Sequence, residues 1–105
     1  GGEEVQLTLY VTNTTSAPIE LEFGSSQRYD FRVSRPDGES VWTWSADRSF
    51  AQALGTETLP AGGSLRYEAS WASAGRSGEF VATGEVTAMN RDIRQAVRFE
   101  LTGDE

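Results

Sequence analysis

The chain has 105 residues, enough for one domain whose two-layer core buries roughly 60–65% of the unfolded surface without covalent staples. It contains no Cys and no His, and its nine basic residues are all Arg, which excludes disulfides, thiolate metal sites, imidazole bases and lysine nucleophiles. A net charge of −7 disfavours nucleic acid as a partner, and no stretch reaches the ~20 apolar residues of a membrane span.

The first predicted element is Val5 to Thr12. Val5, Leu7, Leu9 and Val11 alternate with polar positions, the period of a half-buried strand. A polar turn, Asn13 to Pro18, leads to a second strand in which Ile19, Leu21 and Phe23 alternate with Glu20 and Glu22. Tyr29, Phe31 and Val33 define a third strand. Arg35-Pro36-Asp37-Gly38 is a β-turn, since proline presets φ at its second position and glycine closes it. Val41 to Ser45 is the returning strand of this hairpin, with Trp42 and Trp44 expected on its buried face.

The stretch from Ala46 to Leu54 has another character. Phe50 and Leu54 are four apart and Asp47 can cap, so one or two helical turns near residues 47–54 are expected, with Phe50 and Leu54 plugging one end of the core. A brief extended piece ends at Leu59, and Ala61-Gly62-Gly63 turns the chain. Three further alternating runs follow: Leu65 to Trp71, Phe80 to Val86, and Val97 to Leu101. Met89 to Asp92 is read as a hairpin tip. Residues 1–4 and 102–105 are expected to be flexible tails.

Seven to eight short alternating strands with turns between them predict an all-β, antiparallel β-sandwich of immunoglobulin-like type, with a small closed barrel as the alternative. One-sided alternation argues against a parallel sheet, whose strands are apolar on both faces.

The chemistry is thin. Serines are frequent, but without His or Lys none has an ordinary activating base, so no catalytic residue, metal ligand or cofactor site is assigned and the chain is not read as an enzyme. Glu20 with Glu22 and Asp37 with Glu39 are expected on solvated faces. Asp30, set between two inward aromatics, is expected to hold the Ser25-Ser26-Gln27 turn or to pair with an Arg. Trp42, Trp44, Trp71, Tyr29, Phe31 and Phe50 are expected chiefly in the core, with one or two at a rim where they would anchor a partner.

Several segments in order resemble one family. Leu7 to Asn13 and Pro18 to Phe23 are similar to its opening. Ser26-Gln27-Arg28-Tyr29-Asp30-Phe31, Gly38 followed by Val41-Trp42-Thr43-Trp44-Ser45, then Phe50-Ala51-Gln52-Ala53-Leu54, then Leu59-Pro60-Ala61-Gly62 with Tyr67 and Trp71, resemble its later segments. The family is BsuPI, the bacterial intracellular proteinase inhibitors, and the likeness runs from Leu7 to about Gly84. One departure is Ala61, which separates Pro60 from Gly62.

The resemblance implies an immunoglobulin-like sandwich that inhibits a subtilisin-type serine proteinase by non-covalent loop binding, with a serine proteinase or another protein domain as partner. The alternative is an accessory sandwich that binds protein or glycan within a larger protein. The matching residues Ser26, Gln27, Tyr29, Asp30, Phe31, Trp42, Trp44, Phe50, Gln52, Leu54 and Trp71 are of structural type, and no inhibitory residue transfers with them. Three loops are therefore candidates: Ala72 to Gly78, Met89 to Asp92, and Leu54 to Leu59. The preferred binding residues are Met89, Asn90 and Arg91, with Met89 pointing outward. A cytoplasmic location follows if the family's name applies. The opening Gly1-Gly2-Glu3-Glu4 is equally compatible with an excised domain or a removed signal peptide.

Overall fold

A computed structural model describes residues 4–73 and 76–101. Eight strands follow one another: β1 Glu4–Thr12, β2 Ile19–Phe23, β3 Tyr29–Ser34, β4 Ser40–Thr43, β5 Gly55–Leu59, β6 Ser64–Ala72, β7 Gly78–Val86 and β8 Ile93–Leu101. All pairings are antiparallel. One four-stranded sheet has the order β4-β3-β7-β8, and two ribbons pair β1 with β6 and β2 with β5. The architecture is the expected antiparallel sandwich.

Alternation sets the core. Leu7 and Leu9 of β1, Leu21 and Phe23 of β2, Phe31 and Val33 of β3, Ala69 and Trp71 of β6, and Phe80 and Val86 of β7 form one buried cluster. Each of the buried Val, Leu and Phe side chains contributes on the order of 1.5–3 kcal/mol of hydrophobic stabilisation. At one end Trp71 meets Phe80 edge-on at 5.3 Å, and Phe80 stacks on Phe99 at 5.6 Å. At the other, Tyr29 is stacked between Tyr67 and Trp44, each at 4.5 Å.

The turns use the expected residues. Gly38, at φ 99°, follows Pro36 and Asp37, and its N–H donates to the Arg35 carbonyl at 2.9 Å. Gly62, at φ 75°, turns β5 into β6. Only glycine enters this left-handed region without steric cost.

Four expectations are corrected. The helical turn is a 3-10 turn at Trp44–Asp47, after which Arg48 is extended. Residues 48–54 have no regular structure: the Ala51 carbonyl accepts from the Ser26 N–H, and the Ala51 N–H donates to Ser26 Oγ, both at 2.9 Å. These bonds to a distant turn replace the local helical bonds that the Phe50–Leu54 spacing suggests. Phe50 is half-buried against Trp44, but Leu54 is 83% exposed and plugs nothing. The returning strand expected over Val41 to Ser45 ends at Thr43, so Trp44 lies in the 3-10 turn; Trp42, opposite the buried Val33, does face inward, and both tryptophans are half-buried. Finally, Glu4 belongs to β1, opposite Ala72, and is no tail. The other positions read as tails, 1–3 and 102–105, lie outside the described residues.

Candidate functional site

Of the three candidate loops, Leu54 to Leu59 is not a loop. Residues 55–59 form β5, paired with β2 along its length. The Ala72 to Gly78 connection includes residues 74 and 75, which lie outside the described residues. Met89 to Asp92 remains, within the connection from β7 to β8.

That connection is not a bare hairpin tip. It leaves the four-stranded sheet and is fastened to β2 and to the turn after it. Thr87 Oγ1 donates to the Gln27 carbonyl at 2.7 Å, and the Thr87 N–H donates to the Arg28 carbonyl at 3.1 Å. The Met89 N–H donates to the Glu22 carbonyl at 2.6 Å. Asn90 then uses both ends of its amide: Oδ1 accepts from the Glu22 N–H at 3.1 Å, and Nδ2 donates to the Glu20 carbonyl at 3.0 Å. The Asn90 side chain thus substitutes for a neighbouring strand along the edge of β2, because a primary amide offers the same donor and acceptor pair as a peptide group.

The residues around this clamp are themselves braced. Arg28 donates through Nε to Glu57 at 2.6 Å and through its Nη1 to the Ser25 carbonyl at 2.8 Å, with its guanidinium over the Phe23 ring. A Cβ added at Gly55 would lie 2.8 Å from that guanidinium, so the bare backbone there makes room for it.

Held this way, Met89 is 63% exposed. Asn90 and Arg91 are exposed too. A hollow of about 340 Å³ lies on one side of Met89, walled by Phe23, Leu54 and Gly55, and another of about 390 Å³ adjoins Arg91, walled by Val11, Leu21 and Ile93. The loop is a ridge between two depressions. A backbone already immobilised loses little further freedom when a partner closes over it, so the ordering cost left is that of the side chain.

Several residues of the family-like segments hold the frame. Asp30 accepts from the Ser45 N–H at 3.1 Å, from Ser45 Oγ at 2.6 Å and from the Phe31 N–H at 2.8 Å. It therefore ties Tyr29-Asp30-Phe31 to the end of Val41 to Ser45, and its partner is neither an Arg nor the Ser25 turn. Gln27 donates to the Tyr29 carbonyl at 2.9 Å, and Ser26 holds Ala51. Phe31 and Trp71 are buried, while Gln52 and Leu54 are exposed. Tyr67, against Tyr29, has its phenol pushed above its ordinary value by burial, then by the nearby Glu57 charge, with Arg28 opposing.

Asn13, expected only to open a polar turn and to match the family's opening segment, has a structural role that the sequence did not assign it. Asn13 is 2% exposed. Its Nδ2 donates to the carbonyls of Ala17, Leu59 and Pro60, and its Oδ1 accepts from the N–H and hydroxyl of Thr15. It joins the β1–β2 turn to the β5–β6 turn. Its sequence signal is faint: an Asn directly after an alternating strand.

The chain belongs to the BsuPI family of intracellular proteinase inhibitors, whose sequence profile matches residues 1–91. No curated protein matches the chain. The family's function is inhibition of a proteinase, which is not itself catalysis.

Proposed function

We propose that this chain inhibits a subtilisin-type serine proteinase by non-covalent insertion of the Met89-Asn90-Arg91 loop into the enzyme's cleft, with Met89 entering the primary pocket. The observation that carries this reading is the clamp: Thr87, Met89 and Asn90 make five hydrogen bonds to the segment 20–28 while Met89, its sulfur lying over Gly24, stays 63% exposed. A loop fixed before binding limits the ordering cost of association, and a clamped backbone resists the distortion that cleavage needs.

Arg91 stands at the outer end of the same ridge. A subtilisin-type pocket, apolar and shallow, selects Met89, whereas an acidic pocket of trypsin type would select Arg91. The two assignments separate cleanly in an assay. Purified chain is titrated against one enzyme of each type, with Met89→Ala and Arg91→Ala in parallel. Loss of inhibition of the subtilisin-type enzyme in Met89→Ala, with Arg91→Ala unaffected, is the expected result. Replacing 89–91 by Gly-Gly-Gly abolishes inhibition, and the recovered inhibitor is uncut. No slowing of either enzyme at micromolar concentration overturns the reading and leaves an accessory binding sandwich.

A further inference from the structure

β8 ends the four-stranded sheet, and its outer edge has no partner among the described residues. The opposite edge strand, β4, is blunt: it has four residues, follows a register shift at Val33/Ser34 and runs into the 3-10 turn. β8 has none of these protections. It is nine residues long, contains no Pro and keeps one register with β7 from Ile93 to Leu101. Such an edge presents a row of free backbone donors and acceptors to another strand.

Beside it lies a groove of about 440 Å³, between β8 and β1, lined by Leu7, Leu9, Phe31, Val97 and Phe99. Val97 is 57% exposed at its mouth. The odd-numbered residues of β8 face this groove, because Phe99 pairs with the buried Phe80 and Val97 with Ala82. The even-numbered residues Arg94, Ala96, Arg98 and Glu100 face outward.

The charges on that outward face select one occupant and one register. We propose that β8 pairs antiparallel with β8 of a second copy of this chain, on a two-fold axis at Val97. Val97 is the midpoint of 93–101, so this is the one symmetric register in which all nine residues are paired. It sets Arg94 opposite Glu100 of the second copy, twice by symmetry, and Arg98 opposite Ala96. On the inner face it sets Val97 against Val97, Ile93 against Leu101 and Gln95 against Phe99. Moving the axis to Ala96 puts Arg94 opposite Arg98, and moving it to Arg98 puts that residue opposite itself. Like charges directly opposite are destabilising and unlike charges stabilising, so both neighbouring registers are disfavoured.

Two further observations agree. Within its own sheet Glu100 lies opposite Glu79, an unfavourable neighbour that Arg94 of the second copy offsets from the other side. Arg94 engages Asp92 through Nε at 2.9 Å and lies opposite Glu85 in its own sheet, and the five N–H donors of a guanidinium allow a further carboxylate, Glu100 of the second copy. β8 carries two Arg and one Glu, a net +1, on a chain of net −7. The edge is thus less acidic than the chain as a whole, and two copies approach there with less repulsion than over the rest of the surface. The pairing continues the four-stranded sheet across the axis and brings an apolar strand face to the mouth of the groove.

This assignment is independent of the inhibitor reading. In the pair, the two Ile93 residues lie about 27 Å apart along the strands, eight residues at roughly 3.4 Å each. The two 89–91 loops then sit at opposite ends of the joined sheet, both free.

The test is sedimentation equilibrium of the full chain from about 10 μM to about 1 mM, a range that brackets weak edge-to-edge association. The expected result is a reversible dimer. Arg94→Glu and Glu100→Arg each raise the dissociation constant by about tenfold or more, since each turns two attractions into two repulsions, and the double variant restores the dimer. Both positions are exposed, and circular dichroism checks that each variant is folded. A chain monomeric over the whole range overturns the proposal. So does a dimer indifferent to the single reversals, or one weakened by them and not rescued in the double variant. Protection of β8 amides that arises only when a proteinase is added assigns the edge to the target and also overturns it.

Discussion

The connection into β8 and β8 itself are neighbours in the chain, and the fold treats them in opposite ways. The connection is short of regular structure and is tied at Thr87, Met89 and Asn90 to backbone groups some sixty to seventy residues away. β8 is fully regular, yet its outer edge has no partner among the described residues and its central residues are exposed. Regularity and immobilisation are therefore separate properties here. A strand can have one edge satisfied and offer the other, whereas an irregular loop can have its polar groups spoken for and offer only side chains. In the two proposals made above, the loop would be recognised by what it projects, and the strand by its backbone.

The comparison can be broken most severely through its frame. Asn13 does from a buried position what Asn90 does from an exposed one, so Asn13→Ala leaves carbonyls of Leu59 and Pro60 without that donor inside the protein. Chemical denaturation should show a loss of about 2–4 kcal/mol. Next is the floor of the groove beside β8. A Cβ at Gly84 would lie 3.0 Å from the Phe31 ring and 3.4 Å from Leu9, so Gly84→Val should cost about 1–3 kcal/mol through overpacking.

Asn90→Ala should be milder for the fold, about 1 kcal/mol, since water can replace an exposed clamp. It should nonetheless speed hydrogen exchange at the Glu22 amide and weaken inhibition by more than the stability loss explains. An unchanged exchange rate there would show that the clamp does not hold in solution. Val97→Thr should change monomer stability by no more than about 0.5 kcal/mol, as for an exposed site; a larger loss at low protein concentration would mean that the edge is covered in the monomer.

The smallest effect concerns Tyr67. Its raised phenol pKa means that the folded state holds this proton more tightly than the unfolded chain. The corresponding stability is complete below the ordinary tyrosine value near 10 and is lost as pH rises through the folded value. Stability measured in alkali should fall more gently in Tyr67→Phe.

Much of the frame is legible in the order of residues alone. Strict alternation in Val5 to Val11, Tyr29 to Val33 and Phe80 to Val86 identifies strands and their inward faces, since a period of two leaves one side apolar. Pro36, Asp37 and Gly38 name their own turn. The segment 48–54 misleads, because a Phe–Leu spacing of four fits a helix only when no stronger partner competes for the backbone, and Ser26 does. Alternation counted from Val86 points Met89 outward, but β7 ends at Val86, so the exposure of Met89 is set by the fastening of its loop and not by a strand period.

What the sequence by itself determined was the all-β class, the apolar face of each strand, two of the turns and, through its ordered segments, the family. These depend on local period and on backbone preferences of single residues. What only the tertiary structure decided was which polar groups meet across long separations: Asp30 with Ser45, Asn13 with the 59–63 turn, Asn90 with β2, and, among the described residues, the absence of any strand beyond β8. Such meetings depend on the order of strands in the sheets, and the period-two pattern is identical for a strand with one neighbour or two.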